Sequence, residues 1–191
     1  MRTKLIAIGL VVCIALSAAC TSTSQGTASS ANKQSGAVEP LERIPQNSEA
    51  VSVSAAPITI SQGQIVYVPV YSHIYHGNGQ EQLLTVTLSI RNTSLKSPLF
   101  IRSVRYYNSA GKRVKEYTKG NLRLAPLATT EFLIPQQDAS GGSGANFIVE
   151  WVAEQQLSTP IIEAVMISTS SQQGISFVTS GRVIQEILPT P

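Results

Sequence analysis

The chain has 191 residues, a formal net charge of +3 and two cysteines, Cys13 and Cys20. That length favours one domain with an appendage. Setting aside Arg2 and Lys4, which sit in an N-terminal leader, the charge falls to +1, too little to point to nucleic acid. With both cysteines at the start, the remainder can hold no disulfide framework, thiolate metal site or cysteine nucleophile.

Residues 1–19 read as an export signal. Arg2 and Lys4 form a positive head, residues 5–16 are apolar and uncharged, and Ser17, Ala18 and Ala19 are the small residues of a cleavage point. The apolar run is shorter than the roughly 20 residues a membrane helix needs. Residues 16–20, LSAAC, resemble the lipobox of bacterial lipoproteins. The resemblance implies that Cys20 is acylated by palmitate-type chains and becomes the N-terminus, so that a lipid bilayer is the first partner. The usual lipobox leucine stands three before the cysteine, where this chain has Ser17. Residues 17–19 also satisfy the small-x-small rule of ordinary signal peptidase, which leaves a freely secreted protein as the alternative. Several acyl chains, at about 0.8 kcal/mol per buried methylene, would hold the protein firmly. Thr21 after the cysteine resembles the pattern sorted to an outer membrane. The expected location is the cell envelope, lipid-anchored to a membrane on its periplasmic or extracytoplasmic face.

Residues 20–57 are rich in Ser, Thr, Ala, Gln and Pro and show no hydrophobic period, the composition of a flexible linker. A tether of that length spans roughly 30 to 35 Å. The folded domain is expected over 58–188. Residues 66–77, VYVPVYSHIYHG, hold both histidines of the chain and three of its six tyrosines. Read as one extended strand, Val66, Val68, Val70 and Ile74 face the core. Tyr67, Pro69, Tyr71, His73 and Tyr75 then form a row on the other side. Pro69 predicts a sheet edge or a bulge, because proline donates no ladder hydrogen bond.

Residues 83–91 alternate, with apolar side chains at even positions, as a half-buried strand does. Asn92-Thr93-Ser94 is turn chemistry; it also matches a glycosylation sequon, which has no meaning behind a bacterial-type signal. Strands follow over 99–107 and 113–117, joined by a hairpin loop at 108–112, and then over 122–124 and 130–134. After a glycine-rich loop at 140–144 come 147–152, carrying the single tryptophan, Trp151, and then 161–169 and 174–187. Roughly eight or nine short strands with turns between them predict an all-β fold, an immunoglobulin-like Greek-key β-sandwich. Trp151 is expected at the centre of its core.

Several constellations invite chemistry. Tyr71, His73, Tyr75 and His76 form a possible binding face, since an edge strand with amphipathic rings suits a partner; ordinary strand packing explains the same residues. A metal site would use His73 and His76, with Glu81 as a third ligand, although histidines three apart fall on opposite faces of a strand and such sites want three or four ligands. The loop with Ser143 and Asn146 is a second possible site. It lacks the Lys-Ser/Thr ending of a phosphate loop and the glycine after a nucleophilic serine, so a tight crossover between strands accounts for it. A hydrolase would combine His73 or His76 with Ser143 and Asp138, without support from their spacing. Nine basic residues lie between Arg91 and Arg123 against one acid, Glu116. They suit anionic lipid or cell-wall polymer, or simply soluble strand faces.

Over residues 64–184 the chain resembles a bacterial family known as a domain of unknown function, number three-one-two-four. The strings that carry the resemblance are VYVPVYSHIYHG, LSIRNT, LAPLATTEF, GGSGANFIVEW, EAVMIST and GISFVTSGRVI. The resemblance implies an exported, often lipid-anchored protein, and implies no activity or catalytic residue. The expected function is therefore that of a membrane-anchored envelope lipoprotein serving as a binding or interaction module for an unknown envelope protein or polymer. A periplasmic hydrolase or a metal-binding protein is the alternative. No cofactor and no nucleic acid are expected.

Overall fold

The computed structural model describes residues 51–54, 57–170 and 173–189. The export signal, Cys20 and nearly all of the linker lie outside the described residues. Among the latter no helix is long and apolar enough to cross a membrane.

All of the regular structure described is β. In chain order the strands are β1 (Val51–Ser54), β2 (Gln62–Pro69), β3 (His73–His76), β4 (Gln80–Leu83), β5 (Thr85–Arg91), β6 (Leu99–Tyr107) and β7 (Arg113–Glu116). They continue with β8 (Asn121–Leu124), β9 (Thr129–Ile134), β10 (Asn146–Ala153), β11 (Ile161–Ser168), β12 (Ile175–Ser180) and β13 (Arg182–Ile187). Every pairing is antiparallel. A seven-stranded sheet runs β1-β8-β6-β10-β2-β13, with β7 on the far half of the β6 edge. A four-stranded sheet runs β12-β11-β5-β9, and β3 and β4 pair only with each other.

The period-two pattern places the core. The even residues Leu84, Val86, Leu88 and Ile90 are fully buried, as their alternation predicts. They meet Val66, Val68, Val149 and Trp151 from the larger sheet in one hydrophobic cluster. Trp151 is buried completely on β10, the strand between β6 and β2. An aromatic group continues the core, with Tyr106 and Phe147 centroids 5.2 Å apart and Tyr117 lying 5.6 Å from Phe132. Each large side chain so buried contributes about 1.5–3 kcal/mol.

Three features depart from the sequence reading. Residues 51–54, assigned to the linker, form β1 and pair with β8; four alternating Val and Ser residues are too short a period to stand out. Residues 66–76 are two strands, broken at 70–72. Finally, β2 is no edge strand, since β10 flanks one side and β13 the other. Pro69 is accommodated because the β13 ladder stops at Tyr67, opposite Arg182. The missing donor therefore falls beyond that ladder.

Candidate functional site

The break at 70–72 is fixed by the loop that precedes β10. Val70 donates its amide to the Ala145 carbonyl at 2.9 Å, and Ser72 donates its own to Gly142 at 3.1 Å. On the other side Leu84 donates to the Ser72 carbonyl. With these bonds spent on the loop, the chain cannot continue as a ladder, and it turns into the β3–β4 hairpin. Gly77 and Gly79, with φ of 53° and 90°, make the tip.

This geometry divides the expected row of rings. Tyr71 is half-buried and packs edge-on against Phe177, centroids 5.8 Å apart. His73 is buried, and its Nε2 lies 3.1 Å from the Tyr75 hydroxyl and 3.7 Å from Glu81 Oε1. The two rings meet at 81° with centroids 5.1 Å apart. Tyr75 covers the imidazole yet remains 56 % exposed. His76 is exposed. Of the four residues expected on one binding face, Tyr75 and His76 are therefore open to solvent, while His73 is buried against Tyr75 and Tyr71 packs on Phe177.

Glu81 does come back to His73, because the hairpin register sets it opposite Tyr75. His76 is not part of that group: side chains alternate along β3, so it projects from the other face. Among the described residues no group of three or more His, Cys, Asp and Glu is placed to hold a metal. His73 Nδ1 is buried without a hydrogen-bond partner.

The glycine-rich loop is built into the fold. Ser109 donates its amide and its hydroxyl to the Gly141 carbonyl, and its Oγ accepts the Gly144 amide at 2.8 Å. Ser72 donates its hydroxyl to the Gly142 carbonyl at 3.1 Å and lies 3.5 Å from the Tyr106 hydroxyl. A Cβ on Gly141 would overlap that hydroxyl and stand 2.5 Å from Tyr106 Cζ, so only glycine fits. Burial pushes the Tyr106 hydroxyl above its ordinary value; the Ser72 hydrogen bond opposes the rise and the Asp138 charge adds to it. Asp138 accepts the Ser140 amide at 3.0 Å. Ser143 is half-exposed, and among the described residues no hydrogen bond joins it to Asp138, His73 or His76. Asn146 opens β10, opposite Pro69 and Tyr107, and so is separated from the loop's own bonding.

Asn92 is buried, donating to the Ser97, Leu124 and Ala125 carbonyls and accepting the Ser94 amide. The sequon is thus a turn clamp, as its residues suggested. A shallow cavity of about 530 Å³ lies between residues 93–97 and 155–158.

Sequence reasoning missed how the basic residues are distributed. Their alternation shows in the register, which carries Arg105, Ile148, Tyr67 and Arg182 across one row of the outer face of the larger sheet. A bulge at Arg102 turns that side chain onto the same face, 3.0 Å from Glu150.

These features define an all-β, sandwich-like domain with a small self-paired hairpin at one end. Residues 63–184 match the family described as Protein of unknown function (DUF3124), and the chain belongs to that family. No curated protein matches it. Among solved structures, the crystal structure of Thermotoga maritima 1070 is similar at 10% identity over 62% of this chain and 92% of that one, with a TM-score of 0.36.

Proposed function

We propose that the protein is an envelope lipoprotein, acylated at Cys20, whose immunoglobulin-like Greek-key sandwich is a binding module that presents the β3–β4 hairpin. The leader, the LSAAC segment and the linker composition support the anchor. Successive strands that cross between the two sheets support the Greek-key class. The observation that carries the binding role is the exposed Tyr75 ring, held in place by buried His73 on a hairpin that no sheet absorbs. A preorganised aromatic loses little entropy on docking and buries a large area.

Crosslinked capture from intact cells tests this reading. Wild type is compared with a Tyr75→Ala/His76→Ala variant shown to melt normally. Loss of an envelope protein or polymer from the variant is the expected result; equal capture by both removes the hairpin from the function. In parallel, Cys20→Ser should move the protein from the membrane to the soluble fraction.

A further inference from the structure

The outer face of the seven-stranded sheet carries the most one-sided charge of the folded domain. Register and the Arg102 bulge put Arg102, Arg105, Arg113, Arg123 and Arg182 on it, against Glu116 and Glu150. Every cation that the strand register places on this face is an arginine, although the chain has lysines close by in sequence. Arginine is the side chain suited to forked hydrogen bonds with phosphate. Glu150 is shared by Arg102 and Arg105, and Glu116 is taken by Arg113 at 3.0 Å. Arg123 and Arg182 form no ion pair among the described residues. Between the arginines stand Tyr67, Tyr107 and Ile148, all half-buried. Rings of this kind settle at the boundary between headgroups and acyl chains.

The opposite outer face, on the four-stranded sheet, is different in kind. A row of Val178, Val165, Thr87 and Leu133 crosses all four strands, flanked by Glu131 and Glu163 with Arg91 as its cation.

The geometry points to the arginine face as a docking surface for anionic phospholipid headgroups, which lays the tethered domain flat on the membrane that anchors it. This inference rests on the anchored reading above. Two observations favour a bilayer. The arginines are spread in two dimensions: Arg105 and Arg182 share a row three strands apart, about 14 Å at the usual strand spacing. Arg123 and Arg102 lie on other rows. A linear polymer would be better served by a single groove. In addition, the chain arriving from Cys20 enters this same sheet at β1, where Ser52 stands opposite Arg123. The 31 residue steps from Cys20 to Val51 can extend at most about 110 Å, so the domain stays tethered close enough for the face to meet the headgroups.

The test uses the acylated full chain in vesicles of phosphatidylcholine, with or without phosphatidylglycerol, carrying an acceptor dye on the headgroups. A donor is placed by Gln185→Cys on the arginine face or by Ile167→Cys on the opposite one. The expected result is stronger energy transfer from position 185 than from 167 on anionic vesicles. That difference should vanish on neutral vesicles or in high salt. Arg123→Ser/Arg182→Ser, which breaks no ion pair described here, should lower the docked population about fivefold per arginine. Equal transfer from both positions while the protein stays on the vesicles overturns the docking and leaves the anchor standing. A difference that persists on neutral vesicles overturns it too, because charge is then not the cause. A face that captures soluble polyphosphate and ignores anionic vesicles is a polymer site, again overturning the inference. Failure of the protein to stay on any vesicle removes the anchored reading itself, and the docking with it.

Discussion

The glycine-rich loop and the histidine hairpin lie at the same end of the sandwich and are equally conspicuous in sequence, but they relate to the fold in opposite ways. The loop spends its polar groups inward, on Ser72, Ser109 and the amides of its own turn. The hairpin pairs with itself and leaves Tyr75 and His76 outside. They are also cause and effect, since the loop's bonds to Val70 and Ser72 end β2 and release the hairpin. An unusual composition can therefore mark a device that positions a site rather than the site itself.

The sharpest way to break that contrast is Gly141→Ala. Its methyl would collide with the Tyr106 ring, and overpacking of this sort costs up to about 3 kcal/mol. Urea unfolding should show the loss, and a Tyr106→Phe background should recover part of it by removing the overlapped oxygen. A wild-type midpoint would mean that the loop yields easily, and the distinction from the hairpin would go.

A smaller effect concerns pH. Tyr106 holds its proton more tightly folded than unfolded, chiefly through burial. The associated stability is whole below the unfolded value of about 10. It is lost as pH rises from there through the folded value, by at most about 1.4 kcal/mol per pH unit for one proton. Denaturation midpoints followed from neutral to strongly alkaline pH should fall more steeply for wild type than for Tyr106→Phe. Parallel curves would show that the hydroxyl is not sealed by the loop.

The smallest effect belongs to the hairpin. Tyr75→Ala should change global stability by less than about 0.5 kcal/mol, as exposed substitutions do. Amide exchange in β3 and β4 should nevertheless speed up while β10 stays protected, because the hairpin opens locally. A large drop in melting temperature would instead make Tyr75 part of the core.

Much of the fold was legible because alternation is enforced by burial. The stretches 99–107, 130–134 and 147–152 became β6, β9 and β10 within a residue or two, with Trp151 at the centre. The same rule failed at residues 66–76, where alternation appears to the eye but the ladder does not continue. The cause lies some seventy residues away in the bonds from Gly142 and Ala145, and a local pattern carries no trace of them. The candidate site was legible in composition only. Tyr75 and His76 were named, but the burial of His73 beneath Tyr75 depends on a register set by Gly77 and Gly79. Most of the arginine face was visible as a charge cluster over residues 91–123; its gathering onto one side, with Arg182 added, required the pairing order of six strands and a bulge.

The place where the chain enters the domain has a mechanical consequence. β1 is held by a four-residue ladder to β8, and its Val53 is 72 % exposed. Tension arriving from the residues before it is therefore met first by a short row of hydrogen bonds at the sheet border. Those bonds can be shed and remade without opening the core. On the anchored reading proposed above, β1 is thus the first strand to meet a pull from the tether, at the sheet border and three strands from Trp151 on β10.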